Sequence, residues 1–360
     1  ILVKKRIVTK YNKMKIKNYL NYMIVSIALV VIAACQKTDF SGQASASDVY
    51  SGSLAAFFAD EIASMTESAT MDATNGGTAT LSDGTEVNIP AGSFVDANGN
   101  SISGDIDISI TTISGNVDMA VTNIPSTSNG EMIISGGVVN VSANQGGTNL
   151  ELSNPITVTI PNSFENNTTP GDQGAINMTA NDMEFYQGVE QPDGSINWEL
   201  NTSVTPVLDA NTNTFSFDFS GVGFMNMDKL ANDPQNCFPD LDGDPDNGFE
   251  SPCRIDFSLK CPNGFSPGSM QVWIYYNNLS SLLGVPYNAQ NDAFEINGIL
   301  GGQTVQTVIL AEKDGSFYTL DPAYWETGLL TPGPVIPNIP ATLMIPVTTE
   351  EWKAMLNALP

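Results

Sequence analysis

The 360-residue chain contains no histidine. That excludes Ser-His-Asp and Cys-His catalysis in their usual forms, and zinc sites that include an imidazole. Bases are scarce as well. Seven of the 13 Lys and Arg precede Cys35, and none of the 39 Asp and Glu does. The chain after Cys35 therefore sets six bases against 39 acids, a formal charge of −33, with Arg254 as its only arginine. So few phosphate-neutralising groups exclude nucleic acid as a partner. Such a surface suits a salty exterior, where screening shortens the repulsion. Long helical periodicity is missing. So is any unbroken apolar run of the ~20 residues that a membrane-spanning helix needs.

The longest apolar run is Met23 to Ala34, interrupted only by Ser26. Lys4, Lys5, Arg6, Lys10, Lys13, Lys15 and Lys17 lie upstream of it. A basic segment followed by a short apolar one is the layout of a secretory signal. The run ends in Ile32-Ala33-Ala34-Cys35, which resembles the lipobox of bacterial lipoproteins: an aliphatic residue and two small ones before a cysteine. The resemblance implies a signal peptide at 1–34 and acylation of the Cys35 thiol, with Cys35 as the mature N-terminus. Each buried acyl methylene contributes about 0.8 kcal/mol of membrane affinity, so several chains hold a soluble domain firmly. The expected location is the outer membrane, on its periplasmic or its surface face, with the membrane itself as a partner through the lipid.

Residues 35–75 read as a tether and a short helix. Gln36 to Ser47, QKTDFSGQASAS, is small and polar, as in a flexible linker. In Leu54 to Met65, Leu54, Phe57, Phe58, Ile62 and Met65 recur at helical spacing. This helix is expected to pack against the first sheet.

From Gly76 the period changes from that of a helix to that of a strand. GGTATLSDGTEVNIPAGSF has strand-like segments around the Asp83-Gly84 turn, and Asn98-Gly99 signals a hairpin. Ile106, Ile108 and Ile110 alternate with Asp105, Asp107 and Ser109, which marks a strand with one buried face. About 70 residues on, GGTNLELSNPITVTIPNSF echoes the first passage. Gly76-Gly77-Thr78 matches Gly146-Gly147-Thr148, and Ile89-Pro90 matches Ile160-Pro161. Two copies suggest a duplicated unit rather than a long array.

GGTATLSDGTEVNIPAGSF followed by DIDISI resembles the opening of the β-sandwich of ankyrins and netrin receptors, where that domain binds spectrin. A bacterial version is similar to a recurrent part of surface lipoproteins of Bacteroidetes-type bacteria. Those proteins also carry a segment like FSFDFSGVGFMNMDKL, residues 215 to 230 here, usually with tryptophan where Phe224 stands. The resemblance covers residues 76 to 230. It implies a fold and a surface location. It does not imply spectrin binding, since no spectrin-contact motif is matched.

The expected fold is all-β: tandem β-sandwich domains with a short C-terminal helix. The duplicated sandwich occupies 76–235, an acidic Cys-bounded loop 236–253, and a second sandwich with the terminal helix 254–360. In the second, Val272 to Asn277 alternates Val272, Ile274 and Tyr276 with Trp273 and Tyr275. Thr348-Thr349-Glu350-Glu351 reads as a capping box, with Trp352, Met355 and Leu356 facing the sandwich.

Candidate chemistry falls into three groups. Carboxylates are plentiful, but Asp83, Asp105, Asp107 and Asp193 read as turn or outer-face residues, so no catalytic pair is assigned and no enzymatic activity is expected. Trp273, Tyr275, Tyr324 and Trp325 either form a sugar-stacking platform or fill the core, and core filling is favoured. The sharpest cluster is Asp240, Asp242, Asp244 and Asp246, with Glu250 beyond. Oxygens at every second position suit calcium, which takes six to eight of them. Pro245 stands where an EF-hand loop needs glycine, so this is not that motif, and a solvated acidic turn is the alternative.

Cys237, Cys253 and Cys261 follow Cys35. Cys253 and Cys261 flank a strand-like stretch that would hold them about 26 Å apart, too far for the ~7 Å that a disulfide allows between Cα atoms. Cys237 with Cys253 is the simpler pair, and it closes the acidic loop. The leading role is a lipid-anchored envelope protein for adhesion, scaffolding or structure, with an envelope protein as partner. The rival is glycan capture for polysaccharide uptake, which needs exposed rings.

Overall fold

A computed structural model describes residues 52–162, 180–191, 196–230, 254–277, 279–300, 304–329 and 340–359. The architecture is all-β in several sheets, with three helices that include a short C-terminal one.

The first module opens with helix α1 (Gly52–Ser64) and strands β1 (Thr66–Asp72), β2 (Gly77–Thr80), β3 (Glu86–Ile89), β4 (Phe94–Val95) and β5 (Asp105–Ile113). Helix α2 (Asn116–Thr122) precedes β6 (Thr127–Ser128), β7 (Glu131–Gln145), β8 (Thr148–Asn149), β9 (Glu151–Leu152) and β10 (Ile156–Pro161). Then come β11 (Glu184–Glu190), β12 (Ile196–Leu200), β13 (Val207–Asp209), β14 (Thr214–Phe219) and β15 (Gly223–Leu230).

An eight-stranded sheet runs β1-β5-β7-β15-β11-β12, with β6 and β8 on β7. A five-stranded sheet runs β13-β14-β10-β3-β2. Between them lies one apolar core. Ile106, Ile108, Ile110, Val139, Val141, Met225 and Met227 come from the larger sheet, and Val87, Ile89, Val158, Phe215 and Phe217 from the smaller. Phe185 meets Phe217 with ring centroids 5.0 Å apart, across the two sheets. Asp105 and Asp107 are exposed while their isoleucine neighbours are buried, as the alternation requires.

The turns follow their chemistry. Gly84 takes φ 93°. Asp96 Oδ1 accepts from the Asn98 and Asn100 backbone N–H groups and shapes the Asn98-Gly99 hairpin. The strands that end the two Gly-Gly-Thr passages, β3 and β10, lie side by side, Val87 opposite Val158. Their beginnings do not correspond: β2 belongs to the five-stranded sheet and β8 hangs on the eight-stranded one.

The second module contains β16 (Arg254–Lys260), β17 (Met270–Tyr276), β18 (Leu282–Gly284), β19 (Tyr287–Asn288) and β20 (Ala293–Leu300). It continues with β21 (Thr304–Lys313), β22 (Ser316–Leu320), β23 (Glu326–Leu329), β24 (Met344–Val347) and helix α3 (Thr349–Asn357). A three-stranded sheet runs β16-β20-β19, and a six-stranded one β18-β17-β21-β22-β24 with β23 on β21. The capping box is formed. Thr348 Oγ1 accepts from the Glu351 N–H at 3.1 Å, and Glu351 Oε2 accepts from the Thr348 N–H at 2.8 Å.

Three elements differ from the sequence reading. Strand β1 already joins the first sheet from Thr66, inside the stretch read as tether and helix. Helix α2 has no counterpart in that reading. Helix α1 buries Leu54, Phe57, Phe58 and Ile62 as its periodicity predicts, but not against the first sheet. Phe58 packs edge-on to Trp273 at 6.3 Å, and Phe57 to Trp352 at 5.9 Å, so α1 caps the aromatic interior of the second module.

Candidate functional site

Most of the residues singled out for chemistry lie outside the described residues: Cys35, Cys237, Asp240, Asp242, Asp244, Asp246, Glu250, Cys253 and Asp193. Among the described residues no group of three or more Cys, Asp or Glu side chains is placed to hold a metal ion. No described helix is long and apolar enough to cross a membrane. Asp83, Asp105 and Asp107 are exposed, and Asp83 Oδ1 is occupied by the Thr85 N–H. Cys261 carries a free, half-buried thiol whose pKa is raised, first by burial.

The four aromatic candidates separate cleanly. Trp273, Tyr275 and Trp325 are buried, and Trp325 donates its indole N–H to the Leu320 carbonyl. Only Tyr324 is open to solvent, at 54 % exposure. One ring is not a stacking platform.

The seam between the modules is more distinctive. Strand β5 ends at Ile113, which leaves one side of the first half of β7 unpaired by it. The segment Leu279–Leu282 of the second module fills that side. The Ser135 N–H donates to the Ser280 carbonyl at 2.8 Å, and Ser281 Oγ donates to the Ile133 carbonyl at 2.8 Å. The Ser126 N–H donates to the Leu282 carbonyl, also at 2.8 Å. Asn116, the first residue of α2, donates from Nδ2 to the Tyr276 and Leu279 carbonyls at 3.0 and 2.8 Å. Gly284 permits close approach here, since a Cβ on it would lie 3.1 Å from Pro125 Cγ.

Three helices meet beside this seam. Lys353 Nζ of α3 bonds Glu61 Oε2 of α1 at 2.7 Å. Asp118 of α2 accepts from the Ser114 N–H and Oγ, and it feels Lys353 and Glu61 through space. Burial is the largest influence on Asp118 and raises its pKa.

One strand further in, a bulge builds a buried polar cluster. Met227 of β15 faces two residues of β7, because the register slips between Asn226–Val138 and Asp228–Ser135. The slip falls on Gly136-Gly137. A Cβ on Gly136 would lie 3.0 Å from the Met227 carbonyl oxygen and 3.3 Å from the Phe215 ring, and Gly137 takes φ 129°. The bulge aims Ser135 at β15. Its hydroxyl donates to Asn226 Oδ1 at 2.8 Å and accepts from the Gly137 N–H at 3.2 Å.

Met225 and Met227 point into the sandwich core, so Phe224, Asn226 and Asp228 point away from it. That outer face is not solvated. Asn226 is 1 % exposed and Asp228 0 %. Neither carboxylate oxygen of Asp228, nor Asn226 Nδ2, has a hydrogen-bond partner. Burial pushes the Asp228 carboxyl well above the usual carboxylate range; the opposing influence, the Ser135 hydroxyl, is engaged with Asn226. Tyr186, opposite Asn226 on β11, is also pushed up, by burial first and by Asp228 next. Glu184, opposite Asp228, is held by Lys229 at 3.4 Å.

The sequence reading missed this cluster. The signal was the Asn226/Asp228 alternation with Met225/Met227, which resembles an ordinary solvent-facing row. Chemically the arrangement can hold a proton, but it offers no entry for a substrate through its packed surroundings. Compared with known proteins, the chain matches no family model and no curated sequence.

Proposed function

We propose that this protein is a lipid-anchored component of the bacterial cell envelope, at the outer membrane, with a non-catalytic adhesive, scaffolding or structural role. The observation that carries the reading is the burial of Trp273, Tyr275 and Trp325. These rings would have made a glycan platform, and they are spent on the core. The modules are also tied through backbone hydrogen bonds rather than hinged around a cleft, which suits a load-bearing spacer. Anchoring rests on Ile32-Ala33-Ala34-Cys35 and the basic and apolar segments before it.

A fatty-acid probe fed to cells tests the anchor. Wild-type protein is expected to take the label and Cys35→Ala to lose it; label retained in the variant overturns the reading. Protease shaving of intact cells then assigns the membrane face.

The acidic loop is proposed to be closed by Cys237–Cys253 and to hold calcium through Asp240, Asp242, Asp244, Asp246 and Glu250. The free Cys261 supports that pairing by leaving the other two to each other. Unreduced peptide mapping is expected to recover the link. Calcium is expected to raise the melting temperature, as a ligand of the folded state alone must. A melting temperature equal in calcium and in chelator removes the ion from the proposal.

A further inference from the structure

A fully buried carboxyl with two unpartnered oxygens is rare, because ionisation there is not repaid by any hydrogen bond or counter-charge. Asp228 is such a group. Its surroundings are specific. On β7 it faces Ser135, whose hydroxyl is turned to Asn226. On β11 it faces Glu184, a like charge already paired with Lys229, and its field reaches the Tyr186 phenol. Glu131 at the start of β7 adds a further negative charge near Tyr186. The segment Leu279–Leu282 brings no titratable group. On β20, which packs against β7, Glu295 is engaged by Ser258, Asn288 and Asn291. Burial and the Ser135 hydroxyl are the influences on Asp228, and neither described ion pair includes it.

We propose that Asp228 is a buried proton-holding site that keeps the inter-module seam closed. The carboxyl is neutral while the sheet is sealed, and its ionisation loosens the strand pair β7–β15. The seam lies one strand away, because the Ser135 that faces Asp228 is the residue whose N–H bonds Ser280 of the second module. The Gly136-Gly137 bulge makes this place the weak point, since β7 and β15 are out of regular register there.

The sign follows from the direction of the shift. An acid whose folded pKa lies above its unfolded value binds its proton more tightly when folded. Its contribution is complete below the unfolded value of about 3.9 and is lost as pH rises through the folded value. Within that window one proton changes the folded-to-unfolded ratio about tenfold per pH unit.

The experiment is urea unfolding of the full chain across that window, for wild type and Asp228→Asn. The variant keeps the shape and cannot ionise. It is expected to lose the tenfold-per-unit slope and to be the more stable protein at alkaline pH. Identical slopes in the two proteins overturn the proposal. A second measurement needs no variant: a carbon-13 NMR titration of the folded wild type is expected to show the Asp228 carboxyl ionising above the usual carboxylate range, and ionisation within that range overturns the proposal equally. The seam is read by hydrogen exchange at the Ser135 amide. After correction for intrinsic rates, protection is expected to fall with rising pH in wild type and to stay level in Asp228→Asn; equal behaviour separates Asp228 from the seam.

Discussion

In β5 of the first module, Ile106, Ile108 and Ile110 point inward and Asp105 and Asp107 point to water, whereas in β17 of the second every residue from Val272 to Tyr276 is buried. The first module seals a sandwich core with two sheets and leaves the outer faces of β2, β3 and β5 wet, while its central β7 and β15 are dry on both faces where the second module and the bulge lie. The second covers Trp273 on its outer face with α1 and α3, through Phe58 and Trp352. A sheet with one solvated face is self-sufficient once its partner sheet is present. A sheet buried on both faces depends on whatever supplies the second cover. Here that cover comes from both ends of the described chain, so the second module cannot be complete without α1.

The largest test of this contrast is truncation of the two interiors. Trp273→Ala removes the ring shared by α1 and α3 and is expected to cost about 3–5 kcal/mol, and Ile108→Ala in the sandwich core about 2–5 kcal/mol. Because backbone and side-chain hydrogen bonds both cross the seam, both variants are expected to unfold in one transition, with fluorescence and far-ultraviolet circular dichroism coincident. Two separated transitions would break the comparison and make the modules independent.

Gly136→Ala probes the bulge that the second module lacks at its seam. Its Cβ would press on the Met227 carbonyl and the Phe215 ring, and a loss of about 1–3 kcal/mol is expected in denaturant unfolding. Thr348→Ala removes the cap of α3 and is expected to cost about 1 kcal/mol. Thermal melts of that variant and of Trp273→Ala together would show whether α3 contributes mainly through its cap or through its ring. The smallest effect belongs to Lys353→Ala. Its ion pair with Glu61 is partly solvated, so a change below about 1 kcal/mol is expected, shrinking further in salt.

What was legible in the sequence follows the same division. The period-2 rows of β5 and the Asp83-Gly84 and Asn98-Gly99 turns carry their structure in adjacent residues, and so does the box at Thr348 and Glu351. The apolar face of α1 was legible, but a helical stripe identifies a face and not its cover. Its partners Trp273 and Trp352 are distant in sequence. Strand β1, TESATMD, has no buried alternation to betray it; it is held at the sheet edge by pairing with β5. Helix α2 is too short for its period to register. Asp228 was hidden for a different reason. Alternation correctly turns it away from the sandwich core, and only tertiary packing makes that outer face dry. The residues of the acidic loop and the acylation motif fall outside the described structure, so their reading still rests on spacing and resemblance.

The ion pair between Glu61 and Lys353 joins residues 292 positions apart. Helix α1 is therefore synthesised long before the strands and helix that cover Phe57 and Phe58 exist. Contacts of such separation close late, after the loop entropy of nearly the whole chain has been overcome. During that interval two phenylalanines stay open to other chains. Folding of this protein is expected to be slow, to be helped by a holding chaperone, and to end with the first described helix docking last.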